Sequence, residues 1–561
     1  MSVRNGFALL LALSTLLFLA ACGSNGHIST ATPPPTGGFS VSDLNGTYVF
    51  SVSGSDSATG EAYAMLGTFT ANGSGGITAG TFDLNDPGEF TPPAAAQSIS
   101  GGSYKLGVDG RGQVSLNTSI SGFTPVLDFV LSSNSTGQIT EFDSSGTGSG
   151  TLDLQTAGVT PAGSYAFSLS GAAGTTPWAT NGNFALTGAT LAGCGDINEG
   201  SVLNYPASTL TGSLVLGPSA TPATTLSFVS SGNSGVSCNP ATLGSSVFNA
   251  TFDAVAIDAT HLKLIEMDAT ATLAGDAFSQ TAPALATGTF AFTLEGLTSA
   301  GDPLAAGGFM TTNGSGAITG TEDYNIAGSN VSPQSTPVAF TAAYAVDPNN
   351  SGRYVLTLPS GSFVEGTTYA AYPSSGGLLL LEVDTAGITS GAAYAQTSGT
   401  TFAATSQGFG LNLSGVNLSS EGSVEVDDIA EFTANPSGTT ITGLIDENYT
   451  GADGLQTLGE QLSGTYGTVD ANGRYGISAT TGTSSVAGTL EGGLSLTLYA
   501  ADGTNFPFVE LDSGQVSAGM IVLQSSSSSS SSSSAITKPA AKSMFVVRPM
   551  IRPGAVRQKK N

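Results

Sequence analysis

Apolar and polar residues alternate along four passages of the chain, and this period of two predicts half-buried β-strands. The first aromatic residues of successive passages lie 117, 125 and 119 residues apart. These residues are Tyr48, Tyr165, Phe290 and Phe409. Such regular spacing indicates an internal repeat of about 120 residues that occurs four times.

Each repeat holds about eight alternating segments, joined by short turn sequences such as Asn72-Gly73 and Asn313-Gly314. Short consecutive strands predict an all-β fold in which each repeat is an antiparallel meander, closed as an eight-stranded up-and-down barrel. A two-sheet β-sandwich is the alternative architecture. We place the four β repeats at residues 43–158, 159–283, 284–403 and 404–524.

Two polar motifs recur at fixed places in the repeats. Near each repeat end, Glu-x-Asp is followed by Gly seven residues after the Asp and by Gln five residues after the Gly. The sets are Glu141, Asp143, Gly150, Gln155; Glu266, Asp268, Gly275, Gln280; Glu382, Asp384, Gly391, Gln396; and Glu510, Asp512, Gly519, Gln524. An earlier Asp-x-Asn motif stands at Asp83/Asn85, Asp196/Asn198, Asp323/Asn325 and Asp446/Asn448. Identical spacing in four copies indicates duplication.

A Gly-Arg pair occurs in repeats one, three and four, and it supplies Arg111, Arg353 and Arg474. The glutamates of the Glu-x-Asp motif fall on a mostly apolar strand face, where a carboxylate needs a partner. We therefore predict structural ion pairs near one end of each barrel: Arg111 with Glu141, Arg353 with Glu382, and Arg474 with Glu510. A polar ligand site in the barrel mouth is the alternative interpretation.

Repeat two lacks the Gly-Arg pair and places His261 and Lys263 beside Glu266. Strand alternation puts both side chains on the face opposite that glutamate. Compensation for the missing arginine is therefore not evident from local sequence.

No catalytic machinery is expected. The Glu-x-Asp carboxylates lie on one face of one strand, whereas glycosidase carboxylates flank a cleft. The Asp-x-Asn motifs could offer oxygen ligands to calcium, but no calcium-loop motif surrounds them and Asx-turns explain them more simply. Only two histidines exist, His27 and His261, which argues against a Ser-His-Asp triad or a histidine-rich metal site. We predict no catalytic residue, metal or cofactor.

The N-terminus carries an export signal. A short start with Arg4 precedes an apolar run from Phe7 to Ala20, which ends in Leu19-Ala20-Ala21-Cys22-Gly23. This ending resembles the lipobox of bacterial lipoproteins, which implies that residues 1–21 are removed and that Cys22 receives a lipid. Because Gly23 rather than Asp follows the cysteine, the resemblance implies the outer membrane. Residues 22–42, which include three consecutive prolines, are then a flexible tether.

The repeats themselves resemble β-repeat lipoproteins of environmental bacteria. Their opening strands are also similar, in architecture only, to those of lipocalin-like and avidin-like barrels. Neither resemblance implies a ligand.

Charge is distributed unevenly around the net value of −27. Of 13 Lys and Arg residues, one lies in the signal and seven in the tail, which leaves five in the body against 40 acidic residues, a net −35. Such a body repels nucleic acid. Residues 525–561, a serine run followed by the basic tail, are expected to be disordered; contact with anionic lipid or polysaccharide is the alternative to a passive tail.

Once Cys22 is assigned to a lipid, Cys194 and Cys238 remain as an even pair in an oxidising compartment. We predict a disulfide between them, with two buried thiols as the alternative.

These features predict a non-enzymatic lipoprotein of the cell envelope, facing the periplasm or the surface, that displays four β domains in a structural or adhesive role. The alternative is capture of a glycan or small molecule in the barrel mouths, and an extracellular hydrolase ranks third. Open cavities would favour capture, whereas filled barrels with extensive contacts between domains would favour structure. The only partner predicted directly is the membrane, through the lipid; the oligomeric state is not predicted.

Overall fold

The computed structural model describes residues 38–200, 203–230, 238, 245–281, 283–332, 336–361, 366–397, 401–403, 406–419, 422–449, 456–482 and 493–525. Cys22, the signal peptide, most of the predicted tether and nearly all of the tail lie outside these residues. Among the described residues, no helix is long and apolar enough to cross a bilayer.

The first two repeats form sixteen strands. Strands β1 to β8 are Asn45–Asp56, Ala62–Asn72, Gly76–Asn85, Ala94–Leu106, Arg111–Thr118, Val126–Leu131, Thr136–Glu141 and Gly146–Leu154. Strands β9 to β16 are Ser164–Ala173, Thr176–Thr187, Thr190–Glu199, Leu203–Ser213, Thr224–Val229, Ser246–Asp258, His261–Glu266 and Thr272–Ser279. We call these two sets barrel 1 and barrel 2.

The last two repeats form barrels 3 and 4. Strands β17 to β25 are Gly288–Thr298, Pro303–Thr312, Ala317–Ile326, Asn330–Val331, Val338–Asp347, Asn350–Thr357, Thr368–Ser374, Gly377–Glu382 and Gly387–Ala395. Strands β26 to β33 are Gln407–Ser419, Gly422–Asn435, Thr440–Tyr449, Gln456–Tyr466, Arg474–Thr481, Leu494–Tyr499, Asn505–Glu510 and Gln515–Leu523. Strand β20 is a two-residue addition beside β19 in barrel 3.

Each barrel closes because its first strand pairs with both its second and its last strand. In barrel 1, Tyr48 lies opposite Phe69 of β2 and Leu154 of β8. Barrels 2 and 4 close in the same way, and in barrel 3 the circle of eight strands is completed by the pairing of β18 with β19. All paired strands are antiparallel, and apart from the closing pairs and the pairing of β19 with β21, neighbouring strands are consecutive along the chain. The predicted all-β fold of four eight-stranded barrels is confirmed, and the sandwich alternative is wrong.

Period-two alternation fills each interior with apolar side chains. The four aromatic anchors that define the repeat all point inward, and the least buried of them, Phe290, is only 7% exposed. Barrel 1 also encloses Phe39 and Leu44, which flank a short 3-10 turn at Val41–Asp43. The C-terminal part of the predicted tether, residues 22–42, therefore belongs to the folded barrel.

Each barrel has two distinct ends. We call proximal the end at which its first strand begins and its last strand ends, and distal the end that carries the Glu-x-Asp turn. The residues that begin and end the described chain, near 38 and 525, both lie at the proximal end of barrel 1: Phe39 N–H donates to the Val108 oxygen at 2.9 Å, and Ser525 N–H donates to the Ser132 oxygen at 2.8 Å.

Candidate functional site: the junctions between barrels

The asparagine of each Asp-x-Asn motif joins two barrels at their distal ends. Asp and Asn point outward from the third strand of the barrel, because the residues between and before them fill its interior. The asparagine amide donates to the backbone oxygen of the Glu-x-Asp glutamate in the next barrel at 2.6–3.1 Å. The pairs are Asn85 with Glu266, Asn198 with Glu382, Asn325 with Glu510, and Asn448 with Glu141.

The glutamine that ends each repeat makes the matching contact at the proximal ends. Its side-chain amide donates to backbone oxygens of the next barrel at 2.6–3.0 Å. The acceptors are Ala256 for Gln155; Gly352 and Pro373 for Gln280; Asn472 and Ala500 for Gln396; and Asp109 and Leu131 for Gln524. Four glutamines at one repeat position thus have one role.

These contacts close the four barrels into a ring. Like ends meet at every junction, so the barrels stand side by side. Barrel 4 contacts barrel 1 through Asn448 and Gln524 just as barrel 1 contacts barrel 2 through Asn85 and Gln155. A heterologous contact that repeats and returns to its starting unit generates a closed ring. Tandem order along the chain does not by itself predict this closure.

The arginines of the Gly-Arg pairs also act between barrels. Arg353 donates to both oxygens of Asp196 at 2.6 and 2.8 Å and to Asp347 at 3.1 Å. The other two arginines follow the same pattern. Arg474 donates to Asp323 at 2.6 and 2.7 Å, and Arg111 donates to Asp446 at 2.9 and 3.0 Å. Each aspartate belongs to the Asp-x-Asn motif of the preceding barrel.

The predicted pairs Arg111–Glu141, Arg353–Glu382 and Arg474–Glu510 are therefore wrong. The reason is strand alternation. Arg111 begins β5 on its outward face, because Val114 and Leu116 point inward, whereas Glu141 shares the inward face of β7 with Ile139. Arginine and glutamate of one barrel thus lie on opposite sides of its wall, and the same holds for the pairs of barrels 3 and 4.

Burial and charge act against each other at these ion pairs. Burial alone would lower the pKa of Arg353, but the carboxylates of Asp196 and Asp347 outweigh it and raise that pKa above its ordinary value. The Tyr372 hydroxyl also donates to Asp196, and Tyr499 does the same for Asp323 at 2.8 Å. Sequence analysis missed both tyrosines.

Within the part of the chain that the structure describes, the junction between barrels 1 and 2 has no arginine, and two carboxyl groups face each other there instead. Asp83 is 0% exposed and faces Asp253, and neither Asp83 Oδ2 nor Asp253 Oδ1 has a hydrogen-bond donor. The other oxygen of each carboxyl accepts a backbone N–H, from Ala96 at 2.7 Å and Ser219 at 3.1 Å. Burial, reinforced by the neighbouring Asp253, raises the pKa of Asp83 to about 8. A protonated Asp83 can donate to Asp253, which substitutes for the missing arginine.

Lys263 and His261 do not compensate Glu266; both contact Asp276 of the adjacent strand, at 2.6 and 2.7 Å. Although burial alone would raise it, the pKa of Asp276 is held below its ordinary value because Lys263 and His261 outweigh that effect. The two basic side chains thus stabilise the outer wall of barrel 2 rather than its interior carboxyl.

The interior glutamates are buried and held by neutral donors. Ser145 Oγ donates to Glu141 at 3.0 Å, as does the Tyr63 hydroxyl. Burial, with a smaller contribution from Asp143, raises the pKa of Glu141 to about 8. The aspartate of the motif instead caps its turn: Asp143 accepts N–H groups from Val126 at 2.8 Å and Ser145 at 2.9 Å. At 2% exposure, Glu141 offers no surface to a substrate.

Cys194 and Cys238 form a disulfide with a Cα–Cα distance of 5.9 Å. It lies at the junction of barrels 2 and 3, where Asp347 accepts the Cys238 N–H at 3.1 Å. These three residues bring potential metal-ligand atoms together, but the sulfurs are bonded to each other and Asp347 pairs with Arg353. The disulfide and the ion pair together stabilise the junction between barrels 2 and 3.

The barrel interiors leave little room for a ligand. A cavity inside barrel 3 has a volume of about 30 Å³, far below the roughly 300–1,000 Å³ of small-molecule pockets. Its walls are apolar, with Phe292, Met310 and Phe340 among them. Barrel 4 is filled around Phe402, whose ring lies 4.7 Å from that of Phe409. The described interiors are packed cores rather than binding pockets.

Apolar packing supplements the polar contacts at the sequential junctions. Val49 and Leu66 of barrel 1 pack on Ile257 and Ile265 of barrel 2, and a larger apolar cluster spans barrels 2, 3 and 4. The closing junction between barrels 4 and 1 is more polar, with Asp427 accepting from Ser149 at 2.6 Å. The fold and these junctions define the chain as a closed ring of four β-barrels.

No protein-family model and no curated protein matches the chain. Among solved structures, it is similar to a single mutant of transferrin binding protein B from Haemophilus parasuis, at 7% identity and a TM-score of 0.20 over 90% of this chain and 99% of the other. A double mutant of that protein matches at 9% identity and a TM-score of 0.20 over 70% and 83% of the two chains. Similarity at this level carries no argument about the fold or function of this chain.

We expect Asn448→Leu to weaken the closing junction by about 1–3 kcal/mol, because two buried backbone oxygens, of Glu141 and Gly146, lose their donor. Hydrogen exchange should accelerate in β7 and β8. Asn45→Leu, at an exposed asparagine, is the control and should leave exchange there unchanged. Equal protection in Asn448→Leu and the wild type would contradict the role of this contact.

Proposed function

We propose that the chain is an outer-membrane lipoprotein without enzymatic activity, whose ring of barrels is a rigid structural or adhesive display unit. One observation carries the proposal: the asparagine of the Asp-x-Asn motif and the glutamine that ends each repeat recur in all four repeats, and both join barrels to one another. The asparagine, glutamine and arginine side chains are committed to junctions, so they are not available to a ligand. A ring held at four junctions is rigid, which suits display at the cell envelope.

Capture of a glycan or small molecule in the barrel mouths fits these observations less well. It requires open interiors lined with polar groups, whereas the described interiors are filled mainly by apolar side chains and their motif glutamates are enclosed. A hydrolase requires acidic groups that converge in an accessible cleft, whereas the glutamates of the Glu-x-Asp motif are enclosed. The structural or adhesive role is thus preferred over both alternatives.

Anchoring rests on the lipobox, and metabolic labelling tests it. Cells grown with radiolabelled palmitate should incorporate label into the protein, because the acyl chain is attached to Cys22. The Cys22→Ser variant should be unlabelled. Label that persists in the Cys22→Ser variant would overturn the anchor proposal.

A further inference from the structure

One face of the ring carries exposed aliphatic side chains together with both ends of the described chain, near residues 38 and 525. Eight large aliphatic residues are exposed in the described chain, and six of them lie at proximal ends: Val41, Val108, Val215, Leu216, Val346 and Val469. The other two, Val338 and Leu458, lie at distal strand ends. Because like ends meet at every junction, the four proximal ends share one face of the ring, which we call the proximal face.

Four of these residues, one from each barrel, lie where the fourth strand of the meander ends and the fifth begins. Val108, Leu216 and Val469 lie in the connection between these strands, and Val346 lies at the end of β21, with exposed fractions of 45%, 38%, 42% and 47% respectively. We call them the proximal aliphatic set. Exposed apolar side chains gathered on one face indicate an interaction surface.

The chain outside the described residues identifies the occupant of this surface. Residue 38 lies beside the Val108 turn, and 15 residues separate it from Cys22. Even fully extended, that segment spans only about 55 Å. A lipid on Cys22 would therefore attach barrel 1 to the bilayer from its proximal end and keep that end within this distance.

The chain that follows residue 525 is strongly basic, which favours an anionic surface. Gln524 donates to the Asp109 oxygen at 2.8 Å, so the tail leaves the ring at the same turn. That tail contains Lys538, Lys542, Arg548, Arg552, Arg557, Lys559 and Lys560. Basic residues near an anionic bilayer each contribute about 1 kcal/mol in general.

Negative charge is directed away from this face. The distal turns and strand ends carry many carboxylates: Glu61, Glu89, Asp143, Asp268, Asp302, Asp384 and Asp512. The proximal ends carry fewer partly exposed carboxylates, Asp43, Asp258, Asp470 and Asp502, while Asp109 and Asp347 are buried beside arginines. An anionic surface is therefore repelled less by the proximal face than by the distal one.

We propose that the proximal face is the membrane-contact surface of the ring, with the proximal aliphatic set resting on an anionic bilayer. This inference rests on the proposed lipoprotein function and adds an orientation: the barrel axes stand upright on the membrane, and the acidic distal face points away. The orientation leaves the distal turns free for display.

Tryptophan fluorescence tests the orientation. The full-length protein carries Cys22→Ser, so the result does not depend on the lipid, and it is mixed with vesicles of brominated phosphatidylglycerol. Val346→Trp should be quenched, whereas the matched distal variant Leu458→Trp should not; the sole native tryptophan, Trp178, is only 6% exposed. Quenching of both variants alike, or of neither, would overturn the proposed surface.

Vesicle co-sedimentation gives an independent readout. The combined variant Val108→Asp, Val346→Asp and Val469→Asp should bind phosphatidylglycerol vesicles about tenfold more weakly, in keeping with a loss of about 1.4 kcal/mol. Val338→Asp with Leu458→Asp is the control and should bind as before. Equal losses in the two variants, or no loss in the first, would contradict the surface. These assays use the unlipidated chain. A failed palmitate-labelling experiment would therefore refute the lipidation of Cys22 without affecting the proposed contact surface.

Discussion

Replacement of Arg353 by methionine should lower the free energy of unfolding by about 3–5 kcal/mol, because it leaves two buried carboxylates without their counter-charge. Arg353 is 0% exposed, and so are the side chains of Asp196 and Asp347. Methionine fills much of the volume but donates no hydrogen bond. Chemical denaturation followed by circular dichroism measures the loss. Lys105→Met, at an exposed lysine, is the control and should change stability little.

A double-mutant cycle identifies the partner of Arg353. If Asp196 is that partner, Asp196→Asn and Arg353→Met together should cost much less than the sum of the two single changes. Glu382→Gln should instead be additive with Arg353→Met, because that glutamate lies inside the barrel wall. Strong coupling to Glu382, with additivity at Asp196, would restore the ion pair within one barrel that the sequence suggested.

The barrels could be predicted because their determinants are local and repeated. Alternation places Tyr48 and Phe50 inward, short turns make consecutive strands antiparallel, and a closed meander has no exposed edge. The motif glutamates were also assigned correctly to the inward face. The same period of two determined what points outward, and those residues decide how the barrels meet.

The junctions could not be predicted because outward polar residues are ordinarily solvated. Asn85 and Gln155 satisfy backbone oxygens more than 100 residues away along the chain, and no local pattern indicates such acceptors. The available signal was their fourfold recurrence at identical spacing, which suits a contact repeated around a ring as well as a contact within each barrel. The Arg–Glu pairing failed for this reason: both residues recur, but on opposite sides of the wall.

Stability should be highest in mild acid and should fall as the pH rises. Burial is the largest cause that raises the pKa of Asp83 and Glu141 to about 8, of Glu431 to about 9 and of Glu266 to about 10. In the unfolded chain these groups titrate near 4. Their folded pKa values are therefore the higher ones, so protons bind the folded state more tightly. The stabilisation is complete below about pH 4 and is lost as the pH rises through the folded values.

Two carboxyls oppose this trend in strong acid. The pKa values of Asp276 and Asp384 lie below their ordinary values although burial would raise them, because basic side chains and N–H donors respectively outweigh burial. Their contribution is lost as the pH falls below about 4. The maximum should thus lie near pH 4–5, and unfolding in urea should become easier by roughly 5 kcal/mol or more between pH 5 and pH 9.

Asp83→Asn tests the origin of this slope at one junction. The asparagine amide can donate to Asp253 at any pH, so the junction should stay intact. The slope of the unfolding free energy against pH should decrease by the contribution of about one titrating group. Glu89→Gln, at an exposed carboxyl, is the control and should keep the wild-type slope. Stability that rises from pH 5 to pH 9 would contradict the buried-acid account, and an unchanged slope in Asp83→Asn would show that Asp83 and Asp253 do not share a proton.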